Sequence, residues 1–127
     1  MNLEDFFGEP IFKYTRAQAL ADGVLVDVTS TAREAGWRWP VAVTAALWEQ
    51  LQTIPAKAQW QDWKGRLWDV IFLAAQAAKR ARAGENQIEF QLHLSRDRGG
   101  DIATLLAHVG PGDNGEPVAT IGFPSDF

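Results

Sequence analysis

The fold is decided by residues 65–95, which read GRLWDVIFLAAQAAKRARAGENQIEFQLHLS. Over residues 65–83 the apolar side chains recur every three or four positions, which predicts an α-helix. These apolar side chains form a stripe that covers most of the helix surface. The polar side chains are left in a single line through Asp69, Gln76 and Arg80. A stripe of this width predicts a helix packed between two partners, such as a sheet and another helix.

Beyond Gly84 the apolar period changes from 3.6 to 2, which predicts a half-buried strand over residues 88–95. Turn-forming residues follow at 98–101, and the chain is expected to return as a strand over residues 102–109. A further glycine-rich turn precedes a third strand over residues 117–123. This part of the chain therefore predicts a three-stranded antiparallel meander.

The first half of the chain is expected to hold shorter elements. Thr15 can cap a helix over residues 16–22, and the β-branched run at 24–28 predicts a strand. A second short helix ends at Gly36, and a third begins at Thr44. The predicted fold class is therefore α+β, with N-terminal short helices and a strand, one long central helix, and a C-terminal three-stranded antiparallel meander.

Composition and charge limit the class of protein. A chain of 127 residues with 46% hydrophobic and 22% charged residues predicts one folded domain over residues 1–127. The formal net charge is −4, whereas proteins that bind nucleic acid usually carry a basic excess. The basic run Lys79-Arg80-Ala81-Arg82 suits the end of a helix, where cations interact favourably with the helix dipole. Nucleic acid is therefore not expected as a partner.

The chain contains no cysteine, which excludes disulfides, thiolate zinc sites and a cysteine nucleophile. Its longest apolar stretch, residues 67–83, is interrupted by charged and polar side chains, so a membrane span is not expected. The first five residues lack the basic and apolar regions of a signal peptide. We therefore expect a cytoplasmic protein with no membrane partner.

All six tryptophans lie between residues 37 and 68. Trp48 and Trp68 fall on predicted helix faces beside other apolar residues, which favours core packing for both. A buried tryptophan side chain removes roughly 200 Å² from water, so the cluster marks either an aromatic core or a surface that binds a partner.

The other four tryptophans are the candidate partner-binding residues. Trp37 and Trp39 are two positions apart on a segment expected to be extended, so they point to the same side. Trp60 and Trp63 lie in a polar connection, where an exposed tryptophan would indicate an interface. Core packing is the favoured interpretation of this second pair, and a partner surface is the alternative that the sequence leaves open.

Two histidines, His93 and His108, are expected on meander strands and on one face of the sheet. With a carboxylate such as Glu89 or Asp113, two imidazoles can bind zinc. Histidines on a sheet face are more often solvated or hydrogen-bonded, and neither residue has the sequence context of a catalytic triad. The sequence therefore assigns no metal site, no cofactor and no catalytic residue.

Residues 110–116, GPGDNGE, form the most suggestive loop. Asp113, Asn114 and Glu116 are candidate ligand-binding residues, because glycine-rich backbone can bind an anion and carboxylates can bind a cation. A hairpin turn requires the same residues, since Asn and Gly adopt positive φ readily. The turn is the favoured interpretation.

Three segments carry a resemblance: PIFKYTRA at 10–17 through VLVDV at 24–28, then GRLWDV at 65–70, and HVGPGDNGEP at 108–117. They resemble a small domain family of unknown function that is carried on bacterial plasmids, phages and integrative elements. The resemblance implies an accessory protein of a mobile element in a bacterial cytoplasm. By analogy, small accessory proteins of that kind often bind host machinery, including defence complexes.

The first hypothesis is a non-enzymatic protein-binding module that engages a host or phage protein and inhibits a host defence or other host complex. The alternative is a small-molecule- or metal-dependent enzyme or binding domain that uses the His93/His108 sheet face and the 110–116 loop. A third hypothesis is a homo-oligomer in which Trp60 and Trp63 contact their copies. An enzyme is the less favoured class, because no catalytic motif accompanies the candidate residues.

Overall fold

A mixed β-sheet forms the centre of residues 14–98 and 100–127, the part of the chain that this computed structural model describes. In these residues the sheet contains five strands, which follow the order β1-β2-β5-β4-β3 across it. β2 and β5 run parallel, and every other neighbouring pair runs antiparallel. In chain order the strands are β1 (Leu25–Asp27), β2 (Val41–Thr44), β3 (Gln87–His93), β4 (Ile102–Pro111) and β5 (Pro117–Gly122).

The predicted three-stranded antiparallel meander was wrong, because β3, β4 and β5 belong to this larger mixed sheet. β5 does not end the sheet, since it also pairs with β2, where Val41 lies opposite Ala119. The sequence hides β2 because all four of its residues are buried. A strand covered on both faces shows no alternation of apolar and polar residues, so VAVT carries no period of two.

The predicted arrangement around a single long helix was also wrong. In the described part of the chain four α-helices surround the sheet: α1 (Arg16–Ala21), α2 (Thr29–Glu34), α3 (Ala45–Gln52) and α4 (Trp63–Lys79). α4 is the longest, with 17 residues. It begins at Trp63 because the Asp62 carboxylate caps it, accepting the backbone N–H of Gly65 at 2.7 Å.

The caps predicted for two other helices are confirmed. The hydroxyl oxygen of Thr15 accepts the backbone N–H of Gln18 at 3.0 Å, at the start of α1. The hydroxyl oxygen of Thr44 accepts the backbone N–H of Leu47 at 3.3 Å, at the start of α3. In both places the side chain satisfies an N–H group that has no partner within its helix.

The core lies between one face of the sheet and the helices. α4 packs on β3 and β4, and both α2 and α3 contact α4 and β2. Fully buried side chains from both layers meet there, including Val70 and Ile71 of α4 with Leu105 and Ile121 of the sheet. α4 therefore uses one face for the core and leaves the opposite face towards solvent.

Among residues 14–98 and 100–127, none of the helices has the length and apolar character that a membrane crossing would need.

Candidate functional site

Two of the four candidate partner-binding tryptophans contribute to the core. Trp37 is only 7% exposed, and its indole N–H donates to the backbone carbonyl of Ile71 at 3.1 Å. Trp63 is partly buried and packs edge-on against Trp48, with the ring centroids 5.5 Å apart. Trp37 therefore offers a partner little surface, at the groove that it lines with Trp39. Trp63 packs the start of α4 against α3.

The other two candidates are exposed. Trp60 is 80% exposed on the connection before α4, and Trp39 is 39% exposed on the segment before β2. Trp68, which the sequence places in the core, is 37% exposed. It stacks on Phe72, with ring centroids 6.2 Å apart and planes 17° from parallel. Phe72 is itself 42% exposed, so this aromatic pair lies on the outer face of α4.

The spacing of four residues explains the stacked pair. Residues i and i+4 of a helix lie one above the other, so Trp68 and Phe72 share one face. The core face of α4 is filled by Val70, Ile71 and Ala74, which are fully buried. The apolar stripe of α4 is thus wider than the sheet and the neighbouring helices cover, which is why the prediction for Trp68 was wrong.

The exposed rings form a connected surface. Trp60 and Trp68 line the same cleft of about 360 Å³, and Trp68 stacks on Phe72. One helical turn beyond Phe72, Ala75 lines a groove of about 220 Å³ with Trp39. We call Trp39, Trp60, Trp68 and Phe72 together the aromatic surface.

The cleft beside Trp60 has an acidic character on its helix side. Asp62 and Asp69 line it together with the end of β3, including His93, and the buried Arg66 also lines it, which leaves one more carboxylate than guanidinium. Cations interact favourably with the faces of tryptophan rings and with carboxylates. This end of the aromatic surface therefore suits a basic side chain.

A buried arginine, which the sequence analysis did not identify, lies beneath the same cleft. Arg66 is 4% exposed and donates to backbone carbonyls of Gln50, Leu51 and Ser95 and to the side chain of Gln61, at 2.9–3.2 Å. Burial lowers the pKa of Arg66, yet a guanidinium stays charged at neutral pH. Arg66 is therefore a structural element that joins α3, α4 and the chain after β3.

The two histidines lie at opposite ends of the β3–β4 hairpin. His93 is opposite Ile102, and His108 is opposite Gln87. They share a sheet face, as expected, but six residues of strand separate their positions, which corresponds to about 20 Å. The two imidazoles cannot bind one metal ion. In residues 14–98 and 100–127 no three His, Asp or Glu side chains come together as a possible metal site.

The 110–116 loop serves the fold. The Asp113 carboxylate accepts the backbone N–H groups of Arg16 and Ala17 at 2.8 and 3.0 Å, which caps α1 from a distant part of the sequence. The Glu116 carboxylate accepts the backbone N–H of Asn114 at 2.9 Å within the loop. These bonds support the hairpin-turn interpretation of Asp113, Asn114 and Glu116.

Residues 3–127 match DUF6573, a family of unknown function, and the chain belongs to this family. Comparisons with curated proteins and with solved structures found no match. The family therefore places the whole fold in one group of proteins and assigns no chemistry to it.

Proposed function

We propose that this protein is a non-enzymatic protein-binding module that engages a host or phage protein through the aromatic surface. The observation that carries the proposal is the stacked pair Trp68 and Phe72 on the solvent face of α4, beside the 80% exposed Trp60. Connected exposed aromatic rings are uncommon on monomeric proteins and are typical of interfaces.

The physical basis is the large area that aromatic rings lose to a partner. A covered tryptophan or phenylalanine removes roughly 150–250 Å² from water, and such residues dominate the binding free energy of many interfaces. The rings of Trp68 and Phe72 already restrict one another by stacking. Binding therefore requires little further loss of side-chain freedom.

The grooves at the two ends add shape and charge to the surface. The groove beside Trp39 is bordered by the small residues Ala75 and Ala78, so it suits an apolar anchor of the partner. The cleft beside Trp60 contains Asp62 and Asp69, so it suits a basic side chain. The partner we propose therefore presents an apolar segment with a neighbouring lysine or arginine.

The biological setting is also a proposal. The segments at 10–28, 65–70 and 108–117 resemble proteins carried by plasmids, phages and integrative elements. We take this protein to be a mobile-element accessory factor of the bacterial cytoplasm that inhibits a host defence complex or another host complex. The net charge of −4 favours a protein partner over a nucleic acid.

The test compares Trp68→Ser/Phe72→Ser with a matched control, Phe127→Ser. Phe127 is 47% exposed, similar to Phe72, and its ring lies near that of His108. Tagged wild-type protein is used to capture partners from a bacterial lysate, and each candidate is then purified and titrated against all three proteins. We expect the double variant to lose at least about 2 kcal/mol of binding free energy, and the control to bind as the wild type does.

The biochemical activity of the purified partner is then measured with increasing amounts of this protein. Loss of that activity with wild type, but not with Trp68→Ser/Phe72→Ser, supports inhibition. A partner that binds the double variant as tightly as the wild type contradicts the proposed surface.

A further inference from the structure

β3 is a long edge strand of the described sheet. Within the described residues β3 pairs only with β4, and it does so at every position from Gln87 to His93 without a bulge. Its sequence, QIEFQLH, contains no proline or lysine, and Glu89 is its one carboxylate. Natural proteins usually protect an edge strand by such residues, by bulges or by making the strand very short. The opposite edge of the described sheet, β1, has three residues, so among residues 14–98 and 100–127 the long edge is β3.

The outward hydrogen-bonding groups of β3 follow from its register. The backbone N–H of Leu94 donates to Asp101 at 2.7 Å, and that of Val109 donates to Asn86 at 2.8 Å. Even-numbered residues of β3 therefore exchange hydrogen bonds with β4, because bonded positions alternate along an antiparallel pair. The N–H and C=O groups that point to the free edge belong to Gln87, Glu89, Gln91 and His93.

We propose that a second copy of this chain pairs with that edge, antiparallel, with the twofold axis at Phe90. Phe90 is the midpoint of β3, so this register uses the whole strand. Each of the four outward residues of one copy then lies opposite an outward residue of the other. Two bonds at each of these pairs give about eight backbone hydrogen bonds in all.

The side chains suit this register. Glu89 of one copy lies opposite Gln91 of the other, and Gln87 lies opposite His93. On the core face Ile88 lies opposite Leu92. No like charges meet in this register. If the twofold axis lay at Glu89 instead, the Glu89 side chains of the two copies would lie opposite each other.

Charge complementarity supports a second copy over any other extended strand. At the His93 end of β3, α4 presents Asp62 and Asp69. At the Gln87 end α4 finishes, and the short connection to β3 carries Arg80, Arg82 and Glu85, which together have a net positive charge. Asp69 and Arg80 are eleven residues apart on the helix, or about 16 Å, which is comparable with the length of β3.

A twofold axis at the middle of β3 exchanges these two ends. The acidic end of each copy thereby faces the basic end of the other, and the contact occurs twice. In residues 14–98 and 100–127 neither Asp69 nor Arg80 takes part in an ion pair, so both charges are available. Leu73, which is 36% exposed, lies between them on the same flank of α4 and would be covered at the centre.

This dimer goes beyond the proposed function and shares one feature with it, the acidic end of the cleft formed by Asp62 and Asp69. It uses the flank of α4 that carries Asp69, Leu73 and Arg80, whereas Trp68 and Phe72 lie on the adjoining flank. Gln91→Pro and Trp68→Ser/Phe72→Ser leave that shared end intact, so loss of the dimer and loss of partner binding are separate results in these two variants.

Sedimentation equilibrium across a concentration series tests the proposal. We expect the 14.0 kDa chain to reach twice that mass. Gln91→Pro should leave a monomer, because proline removes an outward donor and places its ring at the edge. Proline is tolerated there within one copy, since the Gln91 N–H makes no bond to β4. Gln91→Thr keeps the donor and serves as the control.

Charge reversal provides a second test that does not depend on the proline variant folding. Asp69→Arg alone and Arg80→Asp alone should each weaken dimerisation by about tenfold or more, because like charges then meet twice. The double reversal Asp69→Arg/Arg80→Asp restores the opposite signs and should recover the dimer. Exposed charges on a helix can be reversed without disturbing the core, so circular dichroism should stay unchanged.

Two results would overturn the proposal. A wild-type protein that remains monomeric at high concentration shows that β3 does not pair with its own copy and leaves a foreign strand as the occupant. A dimer that persists in Gln91→Pro and is indifferent to both charge reversals uses a different surface, such as the aromatic surface.

Discussion

Replacing Arg66 by methionine is the most direct test of how this fold is held together. Methionine keeps much of the length of the side chain and removes the guanidinium. Three backbone carbonyls then lose the guanidinium: Gln50 and Leu51 in the last turn of α3, and Ser95 after β3. The Gln50 carbonyl still accepts the backbone N–H of Thr53 at 3.3 Å, so among the described residues two of the three are left without a donor. The carbonyls at the end of a helix have no donor within it, so Arg66 acts as a cap with a positive charge.

The magnitude follows from the two carbonyls that are left without a donor, those of Leu51 and Ser95. A buried acceptor left without a partner costs roughly 1–3 kcal/mol, and water that reaches the end of α3 offsets part of this. We therefore expect Arg66→Met to lower the free energy of unfolding by about 3 kcal/mol, equivalent to roughly 10 °C in melting temperature for a domain of this size. The free energy of unfolding of Arg66→Lys should lie between those of the wild type and Arg66→Met. A single ammonium cannot reach all the acceptors that the planar guanidinium contacts.

Urea denaturation followed by tryptophan fluorescence measures this difference, with all proteins compared at one concentration. Arg33→Met is the control, because Arg33 is an exposed arginine on α2 and its replacement should change stability by less than about 1 kcal/mol. If Arg66→Met unfolds within 1 kcal/mol of the wild type at an unchanged m-value, the buried guanidinium is not what joins α3, α4 and the chain after β3, and the reasoning fails.

Three further predictions concern stability. Asp113→Ala should lower the free energy of unfolding by about 1 kcal/mol, measured in urea, because it removes the distant cap of α1. The hydrogen bond from Lys57, and then a backbone N–H, lower the pKa of Asp101 from its usual 3.8. A carboxyl with a lowered pKa in the folded state contributes stability above the pKa of the unfolded chain and loses it as the pH falls through the folded value. The melting-temperature difference between wild type and Lys57→Met should therefore be present at pH 7 and diminish as the pH falls below 3.8 towards the lowered pKa of Asp101; a difference that does not diminish as Asp101 is protonated would contradict the assignment. Ile71→Ala should cost about 2–5 kcal/mol because Ile71 is fully buried, whereas Phe72→Ala at the next position should cost less than about 1 kcal/mol. Equal losses would show that Phe72 belongs to the core.

α4 and β3 could be predicted from the sequence, because the apolar period is long there and changes sharply. The change from 3.6 to 2 near Gly84 separates α4 from β3, and both elements are present with ends shifted by a few residues. The helix caps at Thr15 and Thr44 could also be predicted, because each hydroxyl bonds a backbone N–H only three residues later in the sequence. These features depend on neighbours along the chain alone.

The features that were missed depend on contacts between distant segments. β2 is buried on both faces, so its four residues show no period, and its parallel pairing with β5 joins segments far apart in sequence. The distance between His93 and His108 depends on the register of the hairpin. The width of the apolar stripe on α4 was visible, but how much of it the fold covers was not, and Trp68 was therefore placed in the core. Arg66 gave no signal, since its acceptors are mostly backbone carbonyls.

The two proposals together predict bivalent binding. Because the dimer and the partner would use adjoining flanks of α4, each dimer would present two copies of the aromatic surface. Such a dimer should bind a densely immobilised partner more tightly than a sparse one, since the second contact forms within the same complex. Gln91→Pro should remove this dependence on density and leave the affinity for the free partner unchanged, whereas Trp68→Ser/Phe72→Ser should weaken binding at every density. Surface plasmon resonance on a density series distinguishes these outcomes. If Gln91→Pro also weakens binding to the free partner, the two flanks form one interface and the separation of roles along α4 is wrong.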